Sequence, residues 1–125
     1  MANPNIVNVA AIYGNNATVA LSTTNATAII NNAASSGKVF KVNSIVVSNV
    51  DGTNAADITV SIYSQDDLGG TAYQIVSTIS VPADASLIVT DKTTGFYLKE
   101  DQSVGATASA ANDLVVTASW EEINS

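Results

Sequence analysis

Asp57-Ile58-Thr59-Val60-Ser61-Ile62-Tyr63-Ser64 alternates branched aliphatic and polar side chains without a break. In an extended chain successive side chains point to opposite faces, so Ile58, Val60 and Ile62 form one apolar face and Thr59, Ser61 and Tyr63 the other. A helical period would scatter the same residues around a cylinder, so the segment reads as a half-buried strand. The alternation recurs on either side of it. Tyr73, Ile75, Ile79 and Val81 share one parity, as do Val104, Ala106, Ala108 and Ala110. Leu114, Val116, Ala118 and Trp120 form a further set, and Val7, Val9, Ala11 and Tyr13 another. Each predicts a strand with one face inward, and Trp120, Tyr73 and Phe40 are expected in the core.

Lys38 to Val50 is longer and mixed. Phe40, Val42, Val46 and Val50 fall on one parity while Ile45 and Val47 fall on the other. That predicts either a bulge near Ser44 or burial on both faces. Weaker candidates stand at Thr18–Ser22 and Thr27–Asn31. Between these runs lie turn formers, among them Ser35-Ser36-Gly37, Asp51-Gly52-Thr53-Asn54, Asp66-Asp67-Leu68-Gly69-Gly70 and Ala111-Asn112-Asp113. Val, Ile and Thr are plentiful, a stock suited to sheets and poor for helices. The chain has 125 residues, 46% of them hydrophobic, enough for one core and too few for two. The expected fold is all-β: a single-domain antiparallel β-sandwich, jelly-roll or immunoglobulin-like, with about seven to nine strands. Residues 37–125 supply the sandwich core. Residues 1–36, rich in Asn, Ala and Thr, are either its first strands or an N-terminal arm that reaches a neighbouring subunit.

Charge and side-chain chemistry exclude much. Four Lys and no Arg stand against eleven acids, for a net charge of −7. Lys38, Lys41, Lys92 and Lys99 are too few to displace counterions from a nucleic-acid backbone or to hold anionic lipid, so neither partner is expected. Without Cys no disulfide staples the fold, and without His the serines lack their ordinary general base. Asp66-Asp67, Glu100-Asp101 and Glu121-Glu122 are the adjacent carboxylate pairs. Neighbours on a strand point to opposite faces, so these read as solvated acids, and a small hydrolase is the least favoured reading. No cofactor is expected. The one weak metal candidate is a calcium loop through Asp51, Asn54 and Asp57, which competes with simple Asx capping of the loop's own amides. Tyr63 and Tyr97 are the aromatics expected at an exposed contact.

Lys38-Val39-Phe40-Lys41-Val42-Asn43-Ser44-Ile45-Val46-Val47-Ser48-Asn49-Val50-Asp51-Gly52, Ser80-Val81-Pro82-Ala83-Asp84-Ala85-Ser86-Leu87-Ile88-Val89, Phe96-Tyr97-Leu98-Lys99-Glu100-Asp101-Gln102-Ser103-Val104, Ala108-Ser109-Ala110-Ala111-Asn112-Asp113-Leu114 and Ser119-Trp120-Glu121-Glu122-Ile123 form one pattern. It resembles a family of small β-rich virion proteins of tailed bacteriophages, notably those of cyanobacteria. The family pattern has Gly where Gln102 stands, and residues 1–36 lie outside it. The resemblance implies a non-enzymatic virion structural protein: a capsid decoration (cement) protein or a tail accessory subunit, present in many copies or as a homo-oligomer. Its partners would be the major capsid protein or other virion subunits. The acidic surface favours the outer capsid over contact with packaged DNA. The start Met1-Ala2-Asn3-Pro4-Asn5 lacks the features of a secretory signal, so synthesis in the host cytoplasm is expected. The alternative is a tail or fibre module that binds a host glycan or protein. Ile6, Val7 and Val9, with Tyr63 and Tyr97, are the expected interface residues, and removal of residues 1–15 is expected to spare the fold.

Overall fold

The computed structural model describes residues 4–124, and all of their regular structure is β. The strands are β1 (Ala11–Ala20), β2 (Thr27–Asn32), β3 (Lys38–Asn49), β4 (Ala56–Gln65), β5 (Gly69–Val81), β6 (Ser86–Thr90), β7 (Phe96–Leu98), β8 (Gln102–Ala108) and β9 (Leu114–Asn124). They form two antiparallel sheets. One runs β1-β9-β3-β6, with β7 also paired to β3, and the other runs β2-β8-β4-β5. Apart from the β4–β5 hairpin and the shared edge of β6 and β7, each strand crosses to the opposite sheet from the one before it. That order is the jelly roll, which separates it from the immunoglobulin alternative.

The core lies between the sheets. Phe40, Val42, Ile45, Val47, Leu98, Leu114, Val116, Ala118 and Trp120 face Ile30, Ile58, Val60, Val81, Val104, Ala106 and Ala108 from the other side. Phe40 and Trp120 stack with ring centroids 6.1 Å apart. The mixed pattern of β3 resolves as a bulge: Val42 pairs with Trp120 but Ser44 pairs with Ser119, so Asn43 is the extra residue. The bulge switches the inward parity from Phe40 and Val42 to Ile45 and Val47, leaving Val50 exposed.

Two expectations fail at the sheet edges. Tyr73 shares the inward parity of its partner Ile62, yet it is 64% exposed. β5 is the last strand of its sheet, and the thirteen-residue strand overhangs the short β6 across from it, so the ring stays exposed. Tyr13, paired with Glu122, likewise overhangs from edge strand β1 and is 59% exposed. The strand expected from Val7 begins only at Ala11, and Val7 itself is 92% exposed. β1 then runs unbroken to Ala20 in a ten-residue register with β9, so removing residues 1–15 would strip half a strand from the sheet.

β1 lies across from β2 on one flank of the sandwich, and β5 lies across from β6 on the other. No Asp, Glu, Lys or Arg precedes Lys38. β1, β2 and the loops that follow each strand therefore carry no charged side chain of their own on a strongly acidic molecule, and the carboxylates that reach them, Glu122 at Asn15, Asp66 at Ala34 and Glu100 at Gly37, come from other elements.

Candidate interaction surfaces

The polar side chains at both ends of the sandwich are occupied in holding loops. At one end Asn32 is fully buried; its Nδ2 donates to the carbonyls of Lys38 (3.0 Å) and Leu98 (3.1 Å), and its Oδ1 accepts from Ser36 Oγ (2.6 Å). Beside it the carboxylates tie together loops distant in sequence. Asp66 Oδ2 accepts the Ala34 amide, Asp101 Oδ1 accepts the Asp66 amide, and Glu100 Oε2 accepts the Gly37 amide, each at 3.1 Å. Asp67 is drawn in through its own amide, which donates to Asn31 Oδ1 at 2.7 Å. Ser103, also fully buried, accepts the Leu68 amide and donates to the Gln65 carbonyl, fixing the β4–β5 turn. Glu100 is 9% exposed, and its Oε1 has no hydrogen-bond partner among the described residues.

Another loop cluster is organised by Asn49, whose Nδ2 donates to the carbonyls of Asn54 and Val81 and whose Oδ1 accepts the Asp51 amide, each at 2.9 Å. The proposed calcium loop sits here. Asp51 Oδ1 accepts the amides of Thr53 (2.8 Å) and Asn54 (3.3 Å), and Asn54 Nδ2 donates to Asp51 Oδ2. These bonds, the Thr53 amide first, hold the Asp51 carboxyl below its ordinary range. Asp57 lies apart on β4, its amide held by Ser109 Oγ. Asp51 and Asn54 are thus brought together as an Asx turn, and among the described residues no group of three or more His, Cys, Asp or Glu is placed to hold a metal.

Glu121-Glu122 diverge as alternation requires. Glu121 meets Asn43, while Glu122 pairs with Lys38 (3.3 Å) and accepts from Asn15 Nδ2 (2.7 Å) and Trp120 Nε1 (3.2 Å). Burial raises the Glu122 pKa, but the bonds from Asn15, Trp120 and Lys38 together outweigh it and leave the carboxyl below its usual value. Of the carboxylates read as solvated acids, Asp66, Glu100, Asp101, Glu121 and Glu122 are structural ties, while the Asp67 side chain is exposed as expected.

The expected interface residues do not form one patch. Ile6 and Tyr97 come together, lining with Pro4, Val39 and Lys99 an apolar groove of about 330 Å³. The groove lies on the outer face of the β9-β3-β7 sheet, to which Val39 and its partner Ile123 point. Val7 is on the same segment, and Val9 is half-buried. Tyr63 lies on the opposite sheet, half-buried beside Gly105, where an added Cβ would stand 2.9 Å from the Tyr63 ring. Sequence reading missed Asn32, Asn49 and Ser103. Their composition signals only turns, and their partners lie as far as 66 residues away.

No family model and no curated protein matches the chain. Solved structures do. A subunit from the disulfide-linked pili that form Bacillus endospore appendages aligns with 21% identity and a TM-score of 0.50, over 91% of this chain and 89% of that one. A chain of the acid-stable capsid of Helicobacter pylori bacteriophage KHP30 aligns with 12% identity and a TM-score of 0.49, over 92% and 89% of the two chains. A chain of the virus-like particle of the extra small virus of the prawn Macrobrachium rosenbergii aligns with 11% identity and a TM-score of 0.43, over 92% and 79%. At these identities the likeness is one of fold.

Proposed function

We propose that this chain is a non-enzymatic structural subunit of a phage particle, present in many copies and bound as a decoration protein to the outer surface of the head. Its partners on this reading are the major capsid protein and further copies of itself, with no nucleic acid or membrane involved. The observation that carries the proposal is how the surface is used. Carboxylates and buried amides at the loop ends hold backbone groups of their own fold, while Ile6, Val7, Ile12, Tyr13 and Tyr97 stand exposed. Large apolar side chains on an otherwise polar exterior are what docking uses. The resemblance of roughly residues 37–123 to tailed-phage virion proteins supports the particle. A net charge of −7 supports the outside of the head, away from packaged DNA. The fold likeness to a pilus subunit supports repetition of one subunit. Those pili are disulfide-linked, whereas a chain without cysteine cannot use that linkage.

Immunogold labelling of purified particles, using an antibody raised against the recombinant protein, tests the proposal. Label spread over the heads is the expected result. Label confined to tails would replace decoration with a tail-accessory role, and no label on intact or disrupted particles would overturn the virion assignment.

A further inference from the structure

β1 is a sheet edge without the usual protection. Exposed edge strands are ordinarily guarded by charges, proline, bulges or shortness, because their free N–H and C=O groups pair with any strand that approaches. β1 is ten residues long, Ala-Ile-Tyr-Gly-Asn-Asn-Ala-Thr-Val-Ala, with no charge and no proline, and its register with β9 is unbroken. The Leu21 amide donates to the Leu114 carbonyl, in the same register, so odd-numbered residues bond toward β9. The N–H and C=O of Ile12, Gly14, Asn16, Thr18 and Ala20 therefore face outward.

A partner strand must be as regular as β1 to zip along it. The other sheet edges of the molecule do not qualify. β2 has six residues and a register break at Ala28/Ile30, β6 has five residues and a break of its own, and β7 has three residues. β5 breaks register three times and carries Thr78 at φ 52°. The strand that matches β1 is β1 of a second copy. Electrostatics favours the same approach, since two bodies at −7 repel least where β1, which carries no charged side chain, meets its copy.

We infer that two copies pair through β1, antiparallel about a two-fold axis at Asn16, joining their β1-β9-β3-β6 sheets into one. This rests on the reading of the chain as a multi-copy structural subunit and names the copy-to-copy contact. Residues directly opposite must share a sheet face, so their numbers sum to an even value. A sum of 32 sets Tyr13 against the partner's Val19, Gly14 against the partner's Thr18 and Asn16 against the partner's Asn16. The first is an aromatic on β-branched pair of the kind that stabilises sheets, and it covers the overhanging Tyr13 ring. Asn16 must exchange the Asn15 Oδ1 that now accepts its amide (2.8 Å) for the partner's carbonyl. An edge ~30 Å long and about 10 Å deep buries roughly 300 Å² per copy, well under the ~800 Å² of a standard interface. The dimer is therefore weak in free solution and serves subunits already concentrated on a scaffold.

Asn16→Cys tests the geometry in a chain that has no other cysteine. Opposed Cα atoms about 5.5 Å apart lie within disulfide reach, so the variant should oxidise to a covalent dimer at least ten times faster than Gln74→Cys on β5. Sedimentation velocity from about 1 µM to 1 mM should show the wild type dimerising, and Asn16→Lys, which opposes two cations at the axis, should weaken dimerisation at least tenfold. Thermal unfolding of Asn16→Lys confirms that the fold is kept. Equal cross-linking of the two cysteine variants, or a wild type that stays monomeric throughout the range, would overturn the pairing. Particle labelling is read independently, so failure here leaves the virion reading standing, and absence of label leaves the dimer standing.

Discussion

Replacing Asn32 with alanine removes three hydrogen bonds at one point, two donated to main-chain carbonyls and one accepted from Ser36. The bond to the Leu98 carbonyl is fully buried; the other two are partly so. A buried acceptor left unsatisfied costs about 1–3 kcal/mol and a partly solvated bond about 0.5–1.5. The expected loss is therefore about 3 kcal/mol, a large part of the ~5–15 kcal/mol that holds a domain of this size. It corresponds to a Tm lowered by roughly 10 °C. Asn32→Asp separates hydrogen bonding from packing. Its carboxylate occupies nearly the same volume but only accepts, so it faces the Lys38 and Leu98 carbonyls with negative charge and no donor. At neutral pH it should be less stable than Asn32→Ala, and the gap should close in acid as the carboxyl gains a proton to donate. Urea unfolding followed by circular dichroism at neutral and acid pH measures both quantities. A loss below about 1 kcal/mol for alanine, or an aspartate variant no worse than alanine at neutral pH, would refute this account of the loop end.

Gly95→Ala should lose about 2–3 kcal/mol, because the added Cβ would meet the Val42 carbonyl of central strand β3 at 2.7 Å and neither backbone can yield; chemical denaturation measures it. Glu122→Gln should flatten the acid limb of the stability curve. The folded Glu122 pKa is depressed, so its stabilisation is complete above the ordinary glutamate value, roughly 4.3, and is lost as pH falls through the lower folded value. A variant with an unchanged slope in thermal melts across that window would contradict it. Trp120, buried against Phe40 and the sole tryptophan, should emit at short wavelength when folded and shift to the red in a single step with denaturant. Val7→Asp should leave the Tm unchanged, since the side chain stands almost wholly in solvent.

Alternation located strands correctly wherever both neighbours of a strand exist. Ile58, Val60, Val104, Ala106, Leu114 and Val116 all face the core as their parity requires, because central strands have a layer across from every residue. Tyr13 and Tyr73 have the right parity and the wrong burial, because parity gives a face while burial also depends on what lies opposite. The bulge at Asn43 was readable from the parity switch in β3. The buried amides were not, since Asn32 and Asn49 resemble any turn residue until the fold brings distant carbonyls to them. Of the residues expected at an interface, Ile6 and Tyr97 converge on one groove, while Tyr63 belongs to the other sheet.

The absence of charged side chains from β1 and β2 also sets how assembly should respond to the medium. A contact made there has no ion pairs for salt to weaken, while the mutual repulsion of the acidic bodies behind it is screened as the Debye length shrinks. Raising ionic strength should therefore tighten association between copies, the reverse of an interface held by salt bridges, and subunits that stay apart in dilute buffer would be drawn together in brine.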